Sequence, residues 1–346
     1  MPEPDITQLY TAKLSKWTLI IILLVVALFL SIVITLCIGT VNIPFTEVLD
    51  ILFGGDGTGN NRTIIMQIRL PRVLMAGLVG AALALAGAAM QGLFKNPMAS
   101  PYILGLSSGG AFGASLAIVL GVSFATGLFA VPAMAFVFCF LTLFIVYNIS
   151  KVKGRTPVET LLLSGIAVGA FFSALVSFMK YLSGDQLSSI VFWMMGGLWR
   201  ADWTQVLVII PFIIAGSLMI FVLSRDLNTM MIGEDHAVNL GVNTQAVTKV
   251  VLVAASLMTA AAVSVSGIIG FVGLIVPHIL RIFVGPDHRI LLPTTLLVGA
   301  IFMIYMDTLA RTIMAPEELP VGIITALLGA PFFLYLLRRR RRLTGW

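Results

Sequence analysis

Charge is what this sequence has least of. Only 10% of its 346 residues are Asp, Glu, Lys or Arg, 59% are hydrophobic, and the mean hydropathy is +1.06. A soluble domain carries about 25% charged residues, so water cannot be the main solvent of so bare a surface, and lipid takes its place. Cysteine is nearly absent: Cys37 and Cys139 each sit inside an apolar span, which excludes a disulfide framework. His236, His278 and His288 lack the spacing of metal ligands, so no metal site is expected. No G-x-x-x-x-G-K-[ST] phosphate loop occurs, so this chain does not hydrolyse ATP itself. A series of buried carboxylates, the usual equipment of an ion-coupled carrier, is also missing. No nucleophile, base and orienting group assemble as an enzyme would need.

The net charge of +6 does not point to nucleic acid. Five of the basic residues are the run Arg338, Arg339, Arg340, Arg341 and Arg342, directly after an apolar span. That placement suits a cytoplasmic anchor against anionic head groups. The first apolar stretch is too long for the core of a cleaved signal and is followed by no clear cleavage site.

A membrane helix needs about 20 mainly apolar residues. Spans are expected near 17–38, 70–94, 102–121, 124–149, 160–182, 204–223, 245–264, 268–281, 291–313 and 320–337. The seventh and eighth come from one apolar run of about 31 residues, which as a single helix would reach roughly 46 Å across a core of about 30 Å. Charge decides for two. Lys13 and Lys16 precede the first span and the arginine run follows the last, so an even number of crossings puts both ends on the cytoplasmic side. The chain is expected to reverse at Ser264-Val265-Ser266-Gly267. With ten spans, 15 of the Lys and Arg residues fall inside and 6 outside, as the positive-inside rule asks. The fold class is therefore all-α, one polytopic domain over residues 1–346 with ten transmembrane helices.

Small residues mark the packing. Gly77, Gly80, Ala84, Gly87 and Ala88 give the second span a face that lets another backbone approach. Ser107-Ser108-Gly109-Gly110 resembles a phosphate loop only superficially, and helix packing is the better reading. Asp307 and Arg311, four apart on one helix, read either as a pair that neutralises itself or as a functional charge site. Met194 and Met195 near Trp193 and Trp199 read either as a cluster facing a ligand or, preferably, as an interfacial aromatic belt.

Longer motifs then stand out. Arg69-Leu70-Pro71-Arg72 leads into Met90-Gln91-Gly92-Leu93-Phe94-Lys95-Asn96-Pro97-Met98-Ala99. Later come Ser266-Gly267-Ile268-Ile269-Gly270-Phe271-Val272-Gly273-Leu274-Ile275-Val276-Pro277-His278, Asp287-His288-Arg289, and Glu318-Leu319-Pro320-Val321-Gly322. In this order, over roughly residues 17–340, they resemble the permeases of iron–siderophore, haem and cobalamin importers, the FecCD/BtuC type. The resemblance implies the permease fold of type II ABC importers, with ten helices per subunit. It also implies a homodimer or a pair of related permeases, two ATPase subunits on the inner side, and an extracytoplasmic substrate-binding protein. ATP and Mg²⁺ would be bound by the ATPase, leaving this chain without a cofactor, in a prokaryotic inner membrane.

Two residue sets carry the expected roles. The loop 227–241, with Gly233, Glu234, Asp235, His236, Ala237, Leu240 and Gly241, is the expected ATPase-coupling region on the strength of the resemblance. Acidic residues at a helix start and a glycine at its end suit short helices there. Arg69, Arg72 and Arg311 lie on the expected outer side, against the positive-inside trend, and the resemblance makes them docking points for carboxylates of the binding protein. The pathway lining is vague, with the second span and residues 156–164 as candidates. The alternatives from other classes are a secondary ion-coupled transporter and a membrane scaffold or receptor.

Overall fold

Backbone surrounded by lipid must bond within its own segment, which a helix does. The computed structural model describes residues 6–122, 129–152 and 156–344 and turns every expected span into a helix. The helices are α1 (Ile6–Cys37), α2 (Phe45–Leu52), α3 (Leu70–Leu93), α4 (Leu106–Val119), α5 (Ala130–Ile149), α6 (Val158–Leu182) and α7 (Leu187–Met195). They continue as α8 (Trp203–Val222), α9 (Ser224–Ile232), α10 (Glu234–Asn239), α11 (Thr244–Ser266), α12 (Val272–Val284), α13 (His288–Thr312) and α14 (Val321–Thr344). Helices α2, α7, α9 and α10 are short, and the other ten match the ten expected spans. Seven of these are long and apolar enough to cross a membrane alone, whereas α4, α12 and the apolar part of α14 are shorter. The start of the fourth expected span, 124–128, lies outside the described residues, as do Lys153 and Arg155.

One boundary differs from the sequence reading. The second span begins earlier, because the helix runs back through a π-helical segment, Ile64–Arg69, to Asn61. Pro71 has no N–H for the preceding turn, and the wider π turn lies directly ahead of it. The division near residue 266 falls where the small residues put it: α11 ends at Ser266, Gly267 takes φ +67°, and α12 begins after Phe271, also at φ +67°. Helix α12 has 13 residues, about 20 Å, so segment 267–271 carries the chain through part of the membrane without helical bonds. Its surroundings supply partners. The Gly197 N–H donates to the Ser266 carbonyl at 2.8 Å, and the Tyr102 hydroxyl donates to the Ile269 carbonyl at 3.0 Å. Irregular backbone at this depth needs such help from neighbours.

Helix α3 is the centre. About 89% of its apolar stretch is buried, against 22% for that of α1, so α3 is enclosed by the rest of the chain and α1 lies at its periphery. Helix α13 lies antiparallel to α3. Arg72 meets Asp307 near one end, Gly80 meets Gly299 in the middle, and Gly92 meets His288 at the other end. Helix α12 touches α3 backbone to backbone, with Gly87 against Gly273. The expected packing role of the 107–113 stretch holds as well. A Cβ on Gly109 would run into the Thr142 hydroxyl of α5, and one on Gly113 into the Met134 carbonyl.

Candidate functional site

At one end of the α3–α13 pair, the structure brings Arg69, Arg72 and Arg311 together. Helix α1 stops at Cys37, leaving orphan carbonyls and the negative end of its dipole inside the protein. Two of the arginines cap it. Arg69 donates through Nη1 to the Leu36 carbonyl at 2.6 Å and through Nη2 to the Val41 carbonyl. Arg311 donates to the Thr35 carbonyl at 3.0 Å and the Ile38 carbonyl at 3.1 Å. The third, Arg72, forks onto Asp307, with Nε 3.1 Å from both carboxylate oxygens and Nη2 3.0 Å from Oδ1. Its Nη1 donates to Glu318 at 2.8 Å.

Asp307 is 1% exposed and has Arg311 Nε 3.6 Å away on its own helix. The pair read from the sequence therefore exists, but Asp307's closer partner is Arg72, on another helix. All three guanidinium groups are committed to partners inside the chain. Glu318 is the member of this network that reaches the surface, at 38% side-chain exposure.

Glu318 also lines a cavity of about 990 Å³ between α7, α8 and the 264–267 reversal. Trp193 and Trp199 form part of its wall, with Asp185, Arg200 and Gln205 adding polar groups. Of the residues read as an aromatic belt, Trp193 and Trp199 thus share this cavity wall, and Trp199 and Met195 are also exposed. Of the expected pathway candidates, helix α3 is enclosed within the chain, whereas 156–164 is mixed, with Thr156, Leu161 and Ser164 buried and Glu159 and Leu163 exposed.

At the opposite end, the loop after α8 folds into α9 and α10. Glu234 and Asp235 occupy the first turn of α10, Gly233 precedes it in extended backbone, and Gly241 beyond it takes φ +85°, which favours glycine. Ala237 is fully buried and supports the loop from within. The residues this loop offers to a partner are apolar: Ile232 at 72% exposure, Leu240 at 70%, and Val238. His236, Glu234 and Asp235 are exposed around them. Ile232 and Val238 escaped the sequence reading because polar neighbours masked them.

Behind this surface, Asn228 of α9 bonds to the start of α13. Its Nδ2 donates to Asp287 Oδ1 at 2.8 Å, and its Oδ1 accepts from the His288 backbone N–H, also at 2.8 Å. Arg289 pairs with Asp287 at 2.8 Å and holds that carboxyl well below the usual carboxylate range. Lys13 lies 3.7 Å from Asp287, so the early part of α1 belongs to this same end. Among the described residues, no group of three or more acidic, Cys or His side chains is placed to hold a metal.

The comparisons with known proteins agree with this architecture. The chain is 43% identical over 321 residues to the uncharacterized ABC transporter permease protein YvrB of Bacillus subtilis, covering 90% of this chain and 91% of that protein. It is 47% identical over 279 residues to the cobalamin import system permease protein BtuC of Halobacterium salinarum, covering 81% and 74%. It is 43% identical over 281 residues to the hemin transport system permease protein HmuU of Yersinia pestis, covering 80% and 84%. Among solved structures, it resembles a metal-chelate type ABC transporter in an inward-facing conformation, with TM-score 0.82, 36% identity, and coverage of 92% of this chain and 99% of that one. The FecCD transport family matches residues 22–339, and the chain belongs to that family.

Proposed function

We propose that the chain is the membrane-spanning subunit of a binding-protein-dependent ABC importer for a metal chelate, with iron–siderophore the leading class, followed by cobalamin and haem. The observation that carries this reading is the α9–α10 pair. It presents Ile232, Val238 and Leu240 to solvent at the end opposite the arginine cluster, a small apolar surface framed by polar residues. Such a patch on a membrane protein's aqueous face asks for a protein partner. The partner is an ATPase subunit, which supplies the ATP and Mg²⁺ sites.

Two permease copies and two ATPases form the assembly, and ATP binding and hydrolysis drive alternating access. The α9–α10 end is cytoplasmic, as are both termini, in a prokaryotic inner membrane; the closeness of Lys13 to Asp287 supports this orientation. A binding protein docks at the opposite end. Arg69, Arg72 and Arg311 shape that surface, and a docking carboxylate reaching Arg72 replaces Glu318 as its partner.

Tagged protein purified gently from native membranes is expected to carry a Walker-motif ATPase at equal stoichiometry. Vesicles holding the assembly and its binding protein are expected to accumulate at least one of ferric hydroxamate, ferric citrate, haemin or cobalamin when ATP is present. Leu240→Glu, which buries a charge in the contact, is expected to lower ATPase recovery about tenfold or more, a loss of 1.4 kcal/mol or above, without changing permease yield. Uptake that persists without any ATPase and collapses with an ionophore would establish a secondary transporter instead.

A further inference from the structure

Beyond marking one end of the molecule, the motif Asp287-His288-Arg289 is bonded on several sides. Asp287 caps α13 by accepting from the Arg289 N–H at 3.1 Å, and its carboxylate is shared with Asn228 and the Arg289 guanidinium. The Arg289 guanidinium also lies over the Trp17 ring of α1, 5.2 Å from its centroid. Because Asn228 Nδ2 donates to Asp287, Asn228 Oδ1 faces His288 and accepts from both its backbone N–H and its Nδ1–H, each at 2.8 Å. His288 is buried and its far edge presses on Gly92 in the last turn of α3, where a Cβ would collide with Nε2. One asparagine of α9 is thus fixed at three points to the start of α13, and α13 is fixed there to α3.

Contacts continue along the membrane. Helix α13 meets α3 at Gly92, Gly80, Gly77 and Arg72, the last through Asp307 beside Glu318 and the cavity. Close-packed helices shift as bodies because their interfaces do not deform continuously. A displacement of α9 therefore has a direct mechanical route to the other end.

We infer that Asn228 is the positioning residue that joins the α9–α10 surface to α13, so that movement imposed by the ATPase on the loop reaches the Arg72–Asp307–Glu318 end through α13. This rests on the importer reading. Without the three bonds, the loop still seats on its partner through Ile232, Val238 and Leu240, but its displacement is taken up between α9 and α13.

Exchange of the pair tests this. N228D places a carboxylate against Asp287, and N228D/D287N restores a donor opposite an acceptor with the original net charge. In reconstituted vesicles, supplied with whichever of ferric hydroxamate, ferric citrate, haemin or cobalamin the wild type takes up best, N228D is expected to retain the ATPase and hydrolyse ATP. Its uptake per ATP is expected to fall about tenfold, the scale of an ordinary coupling free energy. The double variant is expected to return to within about twofold of wild type, as complementary pairs do in such cycles.

If N228D does not fold, N228A, which leaves a gap and not a repulsion, is expected to show the same loss per ATP. Unchanged uptake per ATP, a loss that merely follows the amount of folded permease or bound ATPase, or a double variant that folds but transports no better than N228D, overturns the joint. Wild-type vesicles with no ATP-dependent uptake would overturn the importer reading itself, and the joint with it.

Discussion

Replacing Asp307 with asparagine is expected to destabilise the folded chain by on the order of 3–5 kcal/mol, the cost of removing one partner from a buried ion pair. The substitution keeps shape and volume and removes only the charge. Arg72 and Arg311 then remain inside with no buried counter-charge, because Glu318 is partly exposed and 2.8 Å from Arg72 alone. Arg311 cannot move out freely, since its other bonds hold the end of α1 through Thr35 and Ile38. The measurement is thermal unfolding in detergent, together with the fraction of extracted protein that is monodisperse.

Glu318→Gln is the control, expected to cost about 1 kcal/mol or less because an exposed ion pair contributes little. R72Q/D307N, which removes both charges of the main pair, is expected to cost less than the sum of its single variants, since of the two buried arginines that face Asp307 only Arg311 is then left without its counter-charge. Strict additivity, or D307N as stable as wild type, would show that the cluster is not held by charge.

The same cluster shows what the sequence discloses and what it hides. Asp307 and Arg311 are four apart, so their proximity follows from helix geometry. Arg72 is 235 positions from Asp307, and only the antiparallel packing of α3 on α13 makes them partners. The capping of α1 by Arg69 and Arg311 is equally invisible, because backbone carbonyls leave no mark in a sequence.

Topology was more accessible. Charge at the two ends and the length of one apolar run required a division near residue 266, and Gly267 and Phe271 carry out that turn with positive φ. The lead-in from Asn61 was hidden by its charges and by Pro71, both of which look like a helix start. The loop 227–241 could be located from its polarity. Its inward and outward faces could not, because α9 and α10 are too short for periodicity to assign them, and so Ala237 looked as available as Leu240.

Alanine at Gly87 is expected to damage this protein more than alanine at any exposed site, although helix propensity argues the other way. In a helix interior, Gly→Ala gains about 1 kcal/mol from backbone entropy alone. At Gly87 the added methyl would overlap the carbonyl and Cα of Gly273 in α12, which are backbone atoms that cannot rotate aside. Helix α12 would have to move off α3, which also disturbs its packing against α13. Overpacking of a core costs about 1–3 kcal/mol, sometimes more, and here the obstruction is backbone, so the upper part of that range applies.

Gly80→Ala is expected to behave alike, because a methyl there runs into the Gly299 carbonyl of α13. Gly77→Ala is the decisive comparison. It lies on the same helix, but its nearest neighbour would be the flexible end of Ile304 at 3.4 Å, an ordinary contact. It should therefore be neutral or slightly stabilising. Thermal unfolding of the three variants in one detergent separates the two effects: Gly77 at or above wild type with Gly80 and Gly87 well below means that packing against α12 and α13 decides. Three equal values would mean that the helices have room to separate, and that the small-residue face of α3 does not set their approach.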